Sequence, residues 1–139
     1  MRHPFLLFPA ALLLTAAAHA QNMPYPPPDT AATSSVQVSA RTIPERIKAH
    51  QRDKIVGAYE LSNGWYLRVH ADSRSIETSI DRQPPLRRVA VAPYKFVSGD
   101  GNVTMQFNLG DTGDDMEMSY VPEGRLAQRV VLSSRLAQR

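Results

Sequence analysis

From residue 56 onward the apolar residues recur at every second position. Trp65, Leu67, Val69 and Ala71 alternate with Tyr66, Arg68 and His70, and Ile76, Thr78 and Ile80 alternate with Glu77 and Ser79. Further along, Val103, Met105, Phe107 and Leu109 alternate with Thr104, Gln106 and Asn108, and Met116, Met118 and Tyr120 alternate with Glu117 and Ser119. A period of two turns one apolar face inward and one polar face to water, as antiparallel strands with a solvated side do.

The punctuation between these runs fits the same plan. Asn63-Gly64 separates two of them, which predicts a type I′ turn with positive φ. Asp72-Ser73-Arg74, Pro84-Pro85, Gly99-Asp100-Gly101-Asn102, Gly110 to Asp114, and Pro122-Glu123-Gly124 supply the other breaks. Eight short strands are predicted, at 56–61, 65–71, 75–81, 86–92, 94–98, 103–109, 115–121 and 126–133. The expected fold is all-β: a small antiparallel meander, closed or half-closed into a barrel because closure removes exposed edges. The domain spans 42–134, and 135–139 is expected as a tail. Arg125-Leu-Ala-Gln-Arg129 recurs as Arg135-Leu-Ala-Gln-Arg139, the first copy expected in the last strand and the second frayed.

One short helix is predicted before the sheet, over Thr42 to Lys54, with Thr42 as N-cap, Pro44 in the first turn and Glu45 completing a capping box. Arg46, Lys48, Arg52 and Lys54 make it basic, and Ile43, Ile47 and Ile55 form a thin apolar stripe. Without Trp or Phe on that stripe, a solvated helix leading into the barrel or covering one end of it is favoured over one lying on a membrane.

The start of the chain reads as an export signal over residues 1–20. Met1-Arg2-His3 is a basic beginning, Phe5 to Ala18 is apolar, and Ala18 and Ala20 are the small residues that a signal peptidase requires, so cleavage is expected before Gln21. A membrane span needs about 20 apolar residues, and this shorter run is interrupted by Pro9. No stable span is expected after cleavage, and the location is periplasmic or secreted. Residues 21–41, with Pro24, Pro26, Pro27 and Pro28 followed by Ala, Ser and Thr, read as a disordered or polyproline-like leader. The alternative for Tyr25-Pro-Pro-Pro is a proline-rich ligand for a partner groove.

The chain has no cysteine, which excludes disulfides, a thiol nucleophile, Cys-bound zinc and an acylated anchor at the cleavage site. Its net charge is +3, and that is too small to imply nucleic acid. A core of this size is marginal, so gain from a ligand or a homodimer is expected.

The run Gly57-Ala-Tyr59-Glu-Leu61-Ser-Asn-Gly64-Trp-Tyr-Leu67-Arg-Val69 resembles a known pattern, continued by Leu86, by Phe96-Val97-Ser98-Gly-Asp100-Gly101 and by Val103-Thr-Met-Gln-Phe107. It looks like small exported β-domain proteins of unknown function from Gram-negative bacteria. It is also similar to the lipocalin-like β domain that follows some β-lactamase-like serine hydrolase domains. The resemblance covers residues 56–121 and rests on core and turn positions. It implies a fold and an accessory, non-catalytic character, and it carries over no active-site residue; no hydrolase domain is expected here.

Candidate sites are few. Asp111, Asp114, Asp115 and Glu117 are hard oxygen donors for calcium, but their spacing matches no EF-hand or repeat-type loop, and a solvated hairpin tip is the expectation. His50 and His70 make no metal pair by spacing. Ser62, Ser98 and Ser133 sit in no Gly-x-Ser-x-Gly elbow. No catalytic, metal or cofactor residue is therefore expected, nor an enzyme. Tyr59, Trp65, Phe96, Phe107 and Tyr120, with Tyr66, are candidates to line a ligand cavity or fill the core, and Met105, Met116 and Met118 suit either use. A filled interior is the favoured expectation at this length. The functional expectation is a non-catalytic binding or interaction module of the cell envelope, its partner an unknown envelope protein. The alternative is a lipocalin-like carrier of a small apolar ligand.

Overall fold

The computed structural model describes residues 23–28, 43–123 and 128–138. Eight strands follow one short helix, α1 (Ala49–Ile55): β1 (Gly57–Leu61), β2 (Tyr66–Ala71), β3 (Ser75–Ile80), β4 (Leu86–Ala92), β5 (Lys95–Val97), β6 (Thr104–Leu109), β7 (Asp115–Tyr120) and β8 (Val130–Gln138). Each strand pairs antiparallel with its neighbours in the chain, and β8 returns to β1, so the sheet is a closed barrel. Ladder irregularities at Ala90/Ala92, Gln106/Leu109 and Ala58/Tyr59 help so short a sheet curl on itself, since an extra residue on one strand bends it and raises its twist.

The alternation maps onto the barrel wall. Tyr59, Leu61, Leu67, Val69, Ile76, Ile80, Phe96, Met105, Phe107, Met116, Met118, Tyr120 and Leu132 are all buried, while Tyr66, Arg68, His70 and Glu77 face out. Leu61 N–H bonds Trp65 O and Gly64 N–H bonds Leu61 O, both at 2.8 Å. Of the Asn63-Gly64 pair only Gly64 takes positive φ, 87°. The loop is thus three residues long with glycine last, not the two-residue I′ turn expected, and this is the next most common way to join a hairpin.

Two boundaries differ from expectation. The helix begins at Ala49, because the segment ahead of it is drawn out along the barrel rim. Glu45 N–H bonds Ala90 O at 2.8 Å and Ile47 N–H bonds Ser73 O at 2.7 Å, and tertiary bonds of this kind override a local capping signal. Lys48 is the N-cap, and its N–H donates to Gln51 Oε1 at 2.8 Å. Ile43 is 85 % exposed, so only Ile47 and Ile55 of the expected stripe are buried. Thr42 lies outside the described residues. The last strand starts at Val130 and runs through Arg135 to Gln138, where a tail was expected from 135. Closure requires it: Glu60 pairs with Arg135, Tyr59 with Leu136 and Ala58 with Gln138.

Candidate functional site

The two ends of the barrel are built differently. At the end formed by the β2–β3 and β4–β5 turns, α1 seals the opening. Ile47 and Ile55 join the core there, and Tyr59 donates its hydroxyl to Ile55 O at 2.9 Å. The Phe107 ring meets Tyr59 edge-on at 5.5 Å and Phe96 at 5.6 Å between centroids, a preferred aromatic geometry. These buried rings and the helix close this end.

The opposite end, where the β1–β2 and β3–β4 turns lie, is hollow. A cavity of about 270 Å³ opens there. Its walls are Thr78 and Ile80 of β3, Leu86 and Arg88 of β4, Met105 of β6 and Met118 of β7. Gln83 and Pro84 form the rim, and Tyr25, Pro26 and Pro28 form a roof. The walls are mostly aliphatic and thioether, with few polar groups. Thr78 spends its hydroxyl on Leu86 O at 3.3 Å. Arg88 is 2 % exposed, and its Nη1 donates to Arg87 O at 3.0 Å. Arginine does not shed its proton, so the wall keeps one permanent positive charge.

The roof is the part of the leader that the structure describes, residues 23–28, and it lies across the barrel mouth as a strap. The Tyr25 ring stacks on Trp65 with centroids 4.5 Å apart and planes at 20°. Tyr25 donates its hydroxyl to Asp81 Oδ2 at 2.9 Å, while Asp81 Oδ1 accepts the Tyr66 N–H at 2.9 Å. Tyr120 donates its hydroxyl to Pro24 O at 2.7 Å, and Asn63 Nδ2 approaches Met23 sulfur at 3.6 Å. Pro26 is buried. Proline brings no N–H that would need a partner over an apolar hollow, which is why such a composition can be laid there. Residues 21–22 and 29–41 of the expected leader lie outside the described residues, as do Ala18 and Ala20.

The hydrogen bond to Asp81 raises the Tyr25 hydroxyl above its ordinary pKa, with burial and the carboxylate's charge adding to it. Burial pushes Tyr120 up to about 12. Both hydroxyls therefore remain donors to the strap contacts throughout the neutral range.

The aromatic residues singled out from sequence are divided by this geometry. Tyr59, Phe96 and Phe107 help close the helix end, Trp65 supports the strap, Tyr120 holds it from below, and Tyr66 points outward at 53 % exposure. None of them lines the cavity. Met105 and Met118 do, whereas Met116 is buried elsewhere in the core. Ile80, Leu86 and Arg88 were not among the cavity candidates, although the first two flank the Asp81–Pro85 turn and so had to stand near one mouth. The seating of Tyr25 left no local signal.

The remaining candidates take structural places. Asp115 pairs with Arg135 Nε at 3.0 Å. Ser98 bonds Asp100 through its hydroxyl and accepts the Val103 N–H at 2.9 Å, fixing a turn. The Ser62 hydroxyl accepts the Ser133 N–H at 3.3 Å. His50 on α1 and His70 on β2 are exposed. Among the described residues no three His, Asp or Glu side chains converge as metal ligands, and no helix is long and apolar enough to cross a membrane.

No protein-family model, no curated protein and no solved structure matches the chain.

Proposed function

We propose that the protein is a non-catalytic carrier or sensor of a small, largely apolar ligand, held at the strap end of the barrel. The supporting observation is the 270 Å³ largely apolar hollow at the strap end of the barrel. Protein interiors are close-packed, with few voids larger than a water molecule. A cavity of roughly 150 Å³ accommodates benzene, so this one suits a compact two-ring or short-chain molecule. Small-molecule sites favour mostly apolar walls with a few placed polar groups, here Thr78, Gln83 and Arg88. The reading agrees with the lipocalin-like resemblance of residues 56–121 and with export through residues 1–20, both of which belong to this proposal.

The test is a titration of the purified protein with 1-aminonaphthalene, followed by the probe's emission. Saturable one-to-one binding is expected, and Met118→Phe, which fills the hollow, is expected to weaken it at least tenfold. Absence of saturable binding, or binding indifferent to Met118→Phe in a folded variant, overturns the reading.

A further inference from the structure

We propose that the seat under the strap is a recognition site for an extended proline-rich peptide, and that a partner protein presenting a Pro-Tyr-Pro-Pro stretch docks there by displacing residues 23–28. The chain displays the ligand chemistry on itself. The seat offers an aromatic platform, Trp65, on which the tyrosine ring lies at 4.5 Å. It offers an acceptor for the tyrosine hydroxyl, Asp81, and a donor for the carbonyl of the preceding proline, Tyr120. It also gives the next proline a buried place, Pro26. The seat reads carbonyl, ring and proline in succession, and aromatic-lined grooves are how polyproline-type segments are recognised elsewhere, because such segments are already extended before they bind.

Nothing in these contacts depends on the strap being covalently attached. The strap accepts from the barrel through a carbonyl and a thioether and donates to it through a hydroxyl, all of which a free peptide of the same sequence carries. Tyr25 remains 38 % exposed, so the occupant is held at its edge and can be exchanged. Being part of the same chain gives the strap an effective concentration on the order of millimolar. In the unaltered protein the seat is thus self-occupied, and a partner competes by presenting its segment at high local concentration or with extra contacts. Displacing the strap also removes the cavity's roof of Tyr25, Pro26 and Pro28.

The test uses a capped peptide, Met-Pro-Tyr-Pro-Pro-Pro-Asp, and the emission of Trp65, the chain's single tryptophan. Full-length protein carrying Tyr25→Ala and Pro26→Ala is expected to bind the peptide at least tenfold more tightly than the unaltered protein. Replacing the peptide tyrosine by alanine is expected to cost at least tenfold. Adding Asp81→Asn to that protein should weaken the tyrosine peptide while leaving a phenylalanine peptide unaffected. If the double variant does not fold, Tyr25→Phe, which keeps the stack and drops the hydroxyl, serves in its place with a smaller gain. A folded variant whose Trp65 emission is unmoved by about 2 mM peptide, near the strap's own effective concentration, overturns the proposal. So does binding indifferent to the peptide tyrosine. Because the readout is the seat and not the hollow, this result is independent of 1-aminonaphthalene binding.

Discussion

At the scale of single residues, two tyrosine hydroxyls and one indole hold the mouth of the barrel. Tyr25→Ala is expected to cost about 0.5–1.5 kcal/mol beyond the area it exposes, the usual worth of an aromatic pair. It should also red-shift the emission of Trp65, which is only 6 % exposed; Tyr25→Phe should leave the emission in place. Tyr120 makes a pH prediction. Its folded pKa of about 12 lies above the ordinary 10.0, so below pH 10 both states hold the proton and the full contribution is present. Above pH 10 the unfolded state releases its proton first, and stability falls as pH rises toward 12. Two units correspond to about 2–3 kcal/mol. Urea unfolding between pH 9 and pH 12 should show this alkaline loss in the unaltered protein and a smaller one in Tyr120→Phe.

Among the secondary-structure elements, the β6–β7 hairpin is tightly constrained. Gly110 has φ 73°, and a Cβ there would stand 2.2 Å from Asp115 Oδ2, the carboxylate that pairs with Arg135. Gly110→Ala should destabilise by about 1–3 kcal/mol through positive φ and the displaced ion pair together, measurable as a lower urea midpoint with unchanged slope. Gly101, at the same φ but with open space around it, should lose less on the same change. The strands were legible in sequence because a half-buried strand writes its burial into every second residue, as Met105 and Phe107 show. The helix start was not, because Thr42, Pro44 and Glu45 form a sound local signal that hydrogen bonds to Ala90 and Ser73 outweigh. The strap was illegible for a related reason. Pro24 to Pro28 carry no pattern of their own, and their place is set by Trp65, Asp81 and Tyr120, far along the chain. A filled interior was the expectation, and the cavity departs from it because its walls are ordinary inward positions, and only the fit of side chains around them makes a hollow.

In the whole molecule, the closure between β1 and β8 decides whether a barrel exists. Removing residues 135–139 takes away the partners of Glu60, Tyr59 and Ala58. The shortened protein should lose most of its stability and self-associate, because both strands then present unpaired edges. Unfolding followed by circular dichroism, with sedimentation to detect aggregates, checks this; a monomer of undiminished stability would show that the seam matters little.

That seam joins distant parts of the polymer, for Ser134 bonds Glu60 across 74 positions. Loop closure over such a span must precede its reward, so this clasp forms late. A chain that emerges from a ribosome or a narrow pore with its N-terminal side first therefore cannot snap its ring shut midway. It stays threadable until the final strand is free, and only then locks.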